Sequence, residues 1–160
     1  MATFPERVFG SEAGWGPTVL RIPAGIIFMA HGAQKLFGWF GGGGPEGTAE
    51  AFASMGLTPG YLMALLAGSA EFFGGLALVL GLLVRPAGAV LAVTMVVAIF
   101  AAHAGKGLFV MNGGWEYALT LLAVSASLVL TGAGRASLDG LLMTLTAAGD
   151  GRQAKARSAA

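Results

Sequence analysis

Four long apolar segments dominate the hydropathy pattern of the chain, at about residues 17–37, 60–84, 86–104 and 115–132. A hydrocarbon core of about 30 Å needs roughly 20 helical residues to cross it. Backbone amides and carbonyls cannot stay unpaired in hydrocarbon, and these segments lack the alternating pattern of a membrane strand. The pattern therefore predicts four transmembrane helices.

The connections between these segments are short, except for residues 38–59. The glycines at 41–44 interrupt regular structure after the first segment, and residues 45–57 then place apolar side chains at roughly helical spacing. This predicts a short amphipathic helix in the membrane interface. The predicted fold class is an all-α integral membrane four-helix bundle with a short interfacial helix between the first and second spans. Residues 1–16 and 148–160 are expected to be cytoplasmic tails, the second basic and disordered, around a four-helix domain at 17–147.

Composition agrees with a membrane protein and excludes several chemistries. Hydrophobic residues make up 56% of the 160 positions and charged residues 11%, against about 25% charged residues in soluble domains. The formal charge of +1 gives no reason to expect a nucleic-acid partner. The chain has no cysteine, which excludes disulfides, cysteine metal ligands and thiol catalysis by its own residues.

Lysine and arginine are distributed unevenly between the two sides that four spans would create. The side of the termini collects Arg7, Arg21, Arg85, Arg135, Arg152, Lys155 and Arg157, whereas the opposite side has Lys35 and Lys106. By the positive-inside rule, both termini are expected in the cytoplasm.

Ionisable side chains inside spans are costly and mark function or a tightly paired structural site. His31 and Lys35 share a helix face, and His103 and Glu116 fall at the same outer level in other segments. We therefore expect a polar pocket in the outer half of the bundle, with Glu71 below it. Glu71 must be protonated or paired with a cation, either as a structural link between helices or as a proton-handling or ligand group.

Other roles for these polar residues stay open at this point. Glu116 either extends to the surface from a small-residue packing seam or partners His31, His103 or Lys35. Two histidines on separate helices are weak grounds for haem, and no metal site is expected. A proton relay or a contact with a quinone head group suits imidazole better. The candidates for proton handling are Glu71, Glu116 and His31, and those for ligand binding are Arg21, His31, Lys35, His103 and Glu116.

The order of these residues resembles the DoxX family of small four-helix membrane proteins. The string HGAQKLFG at 31–38 and the string GAGRASLD at 132–139 carry the resemblance, with Glu71 before Gly74 and Gly75 between them. It extends over about residues 20–142. The resemblance implies a quinone-linked or redox-complex subunit of a bacterial inner membrane, and it leaves independent catalysis open. Electron transfer would need a quinone, a haem or a partner subunit's cofactor.

Two further functions fit the same residues. A non-catalytic structural or assembly subunit of a larger membrane complex is compatible with the compact size and the small-residue seams. A small-solute or proton-coupled transporter would be favoured by inverted internal repeats, and the third and fourth segments do not obviously mirror the first and second.

Overall fold

The computed structural model describes residues 9–11 and 13–145, and the regular structure within these ranges is helical. This confirms the predicted all-α class, whereas most of the two predicted tails lies outside the described residues. Short 3₁₀ turns at Trp39–Gly41 and Val110–Asn112 lie in the loops, and residues 138–145 form one more helical segment. The main helices are α1 (Gly16–Phe37), α2 (Gly44–Ser54), α3 (Gly60–Leu80), α4 (Val84–Ala102) and α5 (Glu116–Thr131).

The helix bounds follow the predicted segments closely, and α2 occupies the stretch predicted to be amphipathic. The largest difference is at the end of α3, which stops at Leu80 rather than at Val84. Gly81 adopts a left-handed conformation with φ of 67°, which ends the α-helical hydrogen-bond series. A new helix then starts at Val84, so that Pro86 lies in its first turn, where proline costs little.

Antiparallel helices α1 and α3 are in backbone contact along their lengths. A Cβ atom added to Gly25 would lie 2.6 Å from the carbonyl oxygen of Gly75, and one added to Gly32 would collide with the backbone nitrogen of Phe72. Small residues at these crossings let the two backbones approach closely.

Helices α4 and α5 form a second antiparallel pair that repeats the burial register of the first. Each buried residue of one set has a counterpart at a constant separation along the chain: Arg21, Gly25, Phe28 and Gly32 in α1 with Val84, Gly88, Leu91 and Met95 in α4. The same holds for Gly68, Glu71, Gly75 and Leu78 in α3 with Ala118, Leu121, Ser125 and Leu128 in α5. The buried positions of the second pair thus repeat those of the first in the same order along the chain. The hydropathy pattern alone did not reveal this relation.

The two ends of the bundle differ in how they are closed. At the tail end, which holds residues 9–11, 13–18 and 131–145, Ser11 Oγ donates to the carbonyl of Thr131 at 2.7 Å, and Thr18 Oγ1 donates to that of Arg135. The opposite end, here the loop end, holds α2 and residues 103–115. Helix α2 packs against α1 and α3, and a Cβ added to Gly60, at the amino end of α3, would collide with the carbonyl oxygen of Ala49.

Within the described residues, two helices are long and apolar enough to cross a membrane: α3 and α4. Only 28% and 22% of their most apolar stretches are buried within the protein, unlike the core helix of a soluble domain. Helix α5 is also apolar but has 16 residues, and α1 carries Arg21 and Lys35.

The contact between α1 and α3 predicts a sharp difference between two glycine substitutions. Gly32→Ala should destabilise the protein by about 1–3 kcal/mol, because its Cβ meets backbone that cannot move aside. Gly47→Ala in α2, where a Cβ would meet nothing within 4 Å, should leave stability unchanged or slightly raised. Thermal unfolding of both variants in the same detergent measures this difference, and equal melting temperatures would contradict it.

Candidate functional site

The centre of the candidate site is an ion pair between α1 and α3. Lys35 Nζ lies 2.6 Å from Glu71 Oε2, and Glu71 is only 4% exposed. The glycine contacts of the two helices allow this approach, because Gly32 and Gly68 lie about one turn away on the facing sides. The cation that Glu71 requires is therefore Lys35, one of the two arrangements that the sequence left open.

A groove of about 710 Å³ opens beside this pair, between α3 and α4. Phe52, Met55 and Leu57, from α2 and the link after it, line the groove at the loop end. The walls are otherwise mostly small or branched apolar side chains, with Met63, Leu66, Ala67 and Ala70 from α3 and Ala89, Val90, Val93, Val97, Ala98, Ala101 and Ala102 from α4. The polar residues among those that line this mostly apolar space are Lys35, Glu71, Thr94 and His103.

His103 lies at the rim of the groove, where α4 ends. Its Nδ1 is 2.6 Å from the carbonyl oxygen of Gly113. A carbonyl oxygen can only accept, so Nδ1 carries the hydrogen, and Nε2 of the neutral ring is an acceptor. The bond also ties the end of α4 to the loop that precedes α5.

The His31 side chain lies against α5 rather than in the groove between α3 and α4. Its ring centroid is 6.0 Å from that of Tyr117, and its carbonyl oxygen is 3.4 Å from Lys35 Nζ. His31 is thus next to the ion pair but is not among the residues that line the groove.

Glu116 and Arg21 lie apart from the groove. Glu116 Oε1 accepts the backbone N–H of Val110 at 2.7 Å and so fixes the loop before α5. The predicted outer set therefore divides: Lys35 and His103 share a groove with Glu71, His31 borders the pair, and Glu116 holds a loop. Their predicted roles in proton handling and ligand binding stay predictions.

Arg21 is buried at the tail end with its guanidinium surrounded by carbonyl oxygens. It is 1% exposed and donates to the carbonyls of Leu78, Val79, Ala133 and Ala136 at 2.6–2.9 Å. The first two belong to the last turn of α3, where carbonyls lose their regular α-helical partners, and the Leu78 carbonyl also accepts the N–H of Gly81 at 3.2 Å. Arg21 therefore joins α1, α3 and the segment after α5, and it makes no contact with Glu71.

Asp139 completes this polar cluster and was not among the residues singled out from the sequence. Its carboxylate accepts the backbone N–H groups of Leu83 at 2.7 Å and Val84 at 3.0 Å, at the start of α4. Burial raises the pKa of the Asp139 carboxyl, and these two N–H groups and the nearby charges of Arg21 and Arg85 oppose that shift. Asp139 ends the GAGRASLD string, but the helix that it caps is distant in sequence, so no local spacing indicated this role.

A small helical membrane protein with an ion pair beside an apolar groove is the class that this fold and site define. The DoxX family model matches residues 16–104, which cover α1 to α4. The chain belongs to the DoxX family, as the resemblance predicted.

Two relatives extend the similarity over most of the chain. A protein of Bacillus subtilis (strain 168), named "Putative oxidoreductase CatD", is 36% identical over 124 residues, which cover 78% of this chain and 84% of the relative. A protein of Haemophilus influenzae (strain ATCC 51907 / DSM 11121 / KW20 / Rd), named only as uncharacterized, is 35% identical over 127 residues, covering 75% of this chain and 85% of that protein. No solved structure matches the chain at a significant level.

The ion pair predicts strong coupling between two substitutions. Lys35→Met should destabilise the protein by about 3–5 kcal/mol, because it leaves the buried Glu71 carboxylate without its counter-charge. Adding Glu71→Leu should recover most of that loss. Unfolding free energies of the two single variants and the double variant give the coupling, with Lys106→Met at an exposed lysine as the control. Additive effects would rule out a structural pair.

Arg21 predicts a loss of stability even when its charge is kept. Arg21→Lys cannot reach four carbonyls, and each buried carbonyl left unpaired costs about 1–3 kcal/mol. The variant should melt well below the wild type, whereas Arg135→Lys, at an exposed side chain, should not. A variant of Arg21 with unchanged melting temperature would count against the carbonyl cage.

Proposed function

We propose that the chain is a quinone-linked or redox-complex membrane subunit that binds a quinone, or a similar small amphipathic molecule, in the groove between α3 and α4. The observation that carries this proposal is an ion pair, Lys35 with Glu71, on the wall of an apolar groove. A volume of about 710 Å³ falls within the range of small-molecule sites. It suits a ring and several carbons of tail.

In this proposal α1, α3, α4 and α5 cross the bilayer of a bacterial inner membrane as a four-helix bundle, with α2 in the interface. Large apolar side chains exposed on the four helices support the arrangement, among them Ile26, Phe73, Val93, Phe100 and Leu130. The termini are assigned to the cytoplasm, because Arg21, Arg85 and Arg135 belong to the tail end and Lys35 and Lys106 to the loop end. Helix α5 spans only about 24 Å at 1.5 Å per residue, which local thinning of the bilayer accommodates.

The residues around the groove fit the polar end of a quinone. The Lys35 ammonium has three N–H groups, and its bonds to Glu71 and to the carbonyl of His31 leave one of them for a ligand oxygen. Glu71 is placed to hold or release a proton next to that oxygen. The apolar walls between α3 and α4 would take the tail, and electrons would be exchanged with a partner subunit or a soluble redox protein.

The name of the Bacillus subtilis relative, "Putative oxidoreductase CatD", agrees with a redox role. The alternative of a non-catalytic assembly subunit predicts a stoichiometric partner and no bound quinone. Purification in mild detergent, followed by mass spectrometry of the proteins and lipids that are retained, separates the two.

A transporter is the other candidate, and one specific observation favours it. Helices α4 and α5 repeat the register of α1 and α3 in the same direction, and the groove lies at the junction of the two pairs. Many transporters place their substrate sites between repeats. Uptake of protons or solutes into vesicles that contain only this protein would favour a transporter over a redox subunit.

Filling the groove should weaken quinone binding without unfolding the protein. Val93 lines the groove and is 64% exposed, so Val93→Trp should reduce the affinity for a short-tailed benzoquinone at least tenfold. Leu130→Trp, at an exposed aliphatic position on α5, is the matched control. Quenching of tryptophan fluorescence, or titration calorimetry in detergent, measures the affinity. Equal binding by the two variants would reject this groove as the site.

A further inference from the structure

The wall of the groove opposite Glu71 carries a second polar group, Thr94 of α4. Gly74 and Leu91 mark where α3 and α4 cross, because a Cβ on Gly74 would lie 3.1 Å from Leu91 Cγ. The helices run antiparallel, so three residues back along α3 and three residues forward along α4 reach the same level. These residues are Glu71 and Thr94, which therefore flank the groove at one height.

Each of these two residues has an oxygen that receives no hydrogen bond from another described residue. Glu71 binds Lys35 through Oε2, and Oε1 makes no hydrogen bond to another described residue. Thr94 Oγ1 donates its hydrogen to the carbonyl of Val90 at 3.0 Å, which leaves the lone pairs of this oxygen. Acceptors within a membrane are costly to leave unpaired.

We propose that Glu71 and Thr94 hold a head group that donates hydrogen bonds from two positions, so that the groove binds a quinol in preference to the corresponding quinone. The inference rests on the proposed function and deepens it. A quinone has only carbonyl acceptors, which can pair with Lys35 but leave the Glu71 and Thr94 oxygens without a donor. The two hydroxyl groups of a quinol donate to both and still accept from Lys35.

The site thus differs in its preference from one built of donors alone. A lysine or histidine pair without the carboxylate would favour the oxidised, carbonyl-bearing form. Here the free acceptors outnumber the free N–H of Lys35, and Thr94 is the residue that adds the second acceptor.

The test compares three short-tailed ligands that share one ring: the benzoquinol, the benzoquinone and the dimethyl ether of the quinol, which has no donor. Binding to the purified full chain is measured without oxygen and with a mild reductant in the quinol and ether samples. We expect the quinol to bind about tenfold or more tightly than the quinone, since each unpaired buried acceptor lowers affinity on that scale. The ether should bind no better than the quinone.

Two variants assign the preference to its residues. Thr94→Val keeps the side-chain shape and should weaken quinol binding about three- to tenfold while leaving quinone binding unchanged. Thr120→Val on α5 removes a hydroxyl with the same bond to the carbonyl four residues earlier, away from the groove, and should change neither affinity. Glu71→Gln places an amide donor on the wall and should shift the ratio of the two affinities towards the quinone.

The outcomes separate this inference from the proposed function. Equal binding of quinol, quinone and ether overturns the donor preference and leaves the groove as a quinone site. A preference that survives Thr94→Val removes Thr94 from the site. Absence of binding by all three ligands overturns both proposals.

Discussion

Backbone contact between α1 and α3 is the constraint on which the site depends. Apolar surfaces gain little from leaving lipid for one another, so membrane helices associate through close packing and polar contacts. Gly25, Gly32 and Gly75 provide that packing. The short distance between the helices then allows Lys35 to reach Glu71. The ammonium of Lys35 balances the charge of the Glu71 carboxylate and so lowers the free-energy cost of burying it. The same closeness fixes α3, so that the space of the groove arises on its other side, towards α4.

The helices could be predicted from two features of the sequence. Long apolar segments of about 20 residues indicate helices, and the glycine and proline residues between them indicate where helices end and begin. The partner of Glu71 could not be predicted in the same way. Lys35 and Glu71 are 36 positions apart, and their meeting depends on the rotation and register of two helices. From the sequence, Glu71 had to be either protonated or paired with a cation. The structure shows that it is paired with Lys35.

Residues whose partners are backbone atoms were the hardest to interpret. Arg21 looked like a ligand group because a buried arginine in a span is rare, yet its donors are satisfied by carbonyls of α3 and the segment after α5. Every residue has a carbonyl, so such a site leaves no trace in the spacing of side chains. The residues of α4 that line the groove could not be predicted for a related reason. Most of them are alanine or valine, and these residue types occur both on surfaces that face lipid and on the walls of cavities.

The repeated register shows that the ion pair belongs to only one of the two halves of the bundle. At the positions that correspond to Lys35 and Glu71, the second pair of helices has Ala98 and Leu121, and Leu121 belongs to the apolar core. Both halves also have an arginine at the tail end: Arg85, one position after the counterpart of Arg21, donates to the carbonyls of Val129 and Leu130 as Arg21 does to those of α3. Both halves therefore share hydrogen bonds from an arginine to carbonyls at a helix end. They differ in that only the first half has an ion pair, Lys35 with Glu71.

The two ends of the bundle also differ in the number of hydrogen bonds that connect their segments. Carbonyl bonds from Arg21 and Arg85, together with the Asp139 cap, tie five segments at the tail end. The loop end is held by fewer such bonds among the described residues, chiefly those of His103 and Glu116. The groove lies between α3 and α4, with residues of α2 and the link after it at the loop end, and Lys35 and Glu71 are among the residues that line it. In the proposed function, a ligand that enters this groove reaches Glu71 without any opening of the tail end.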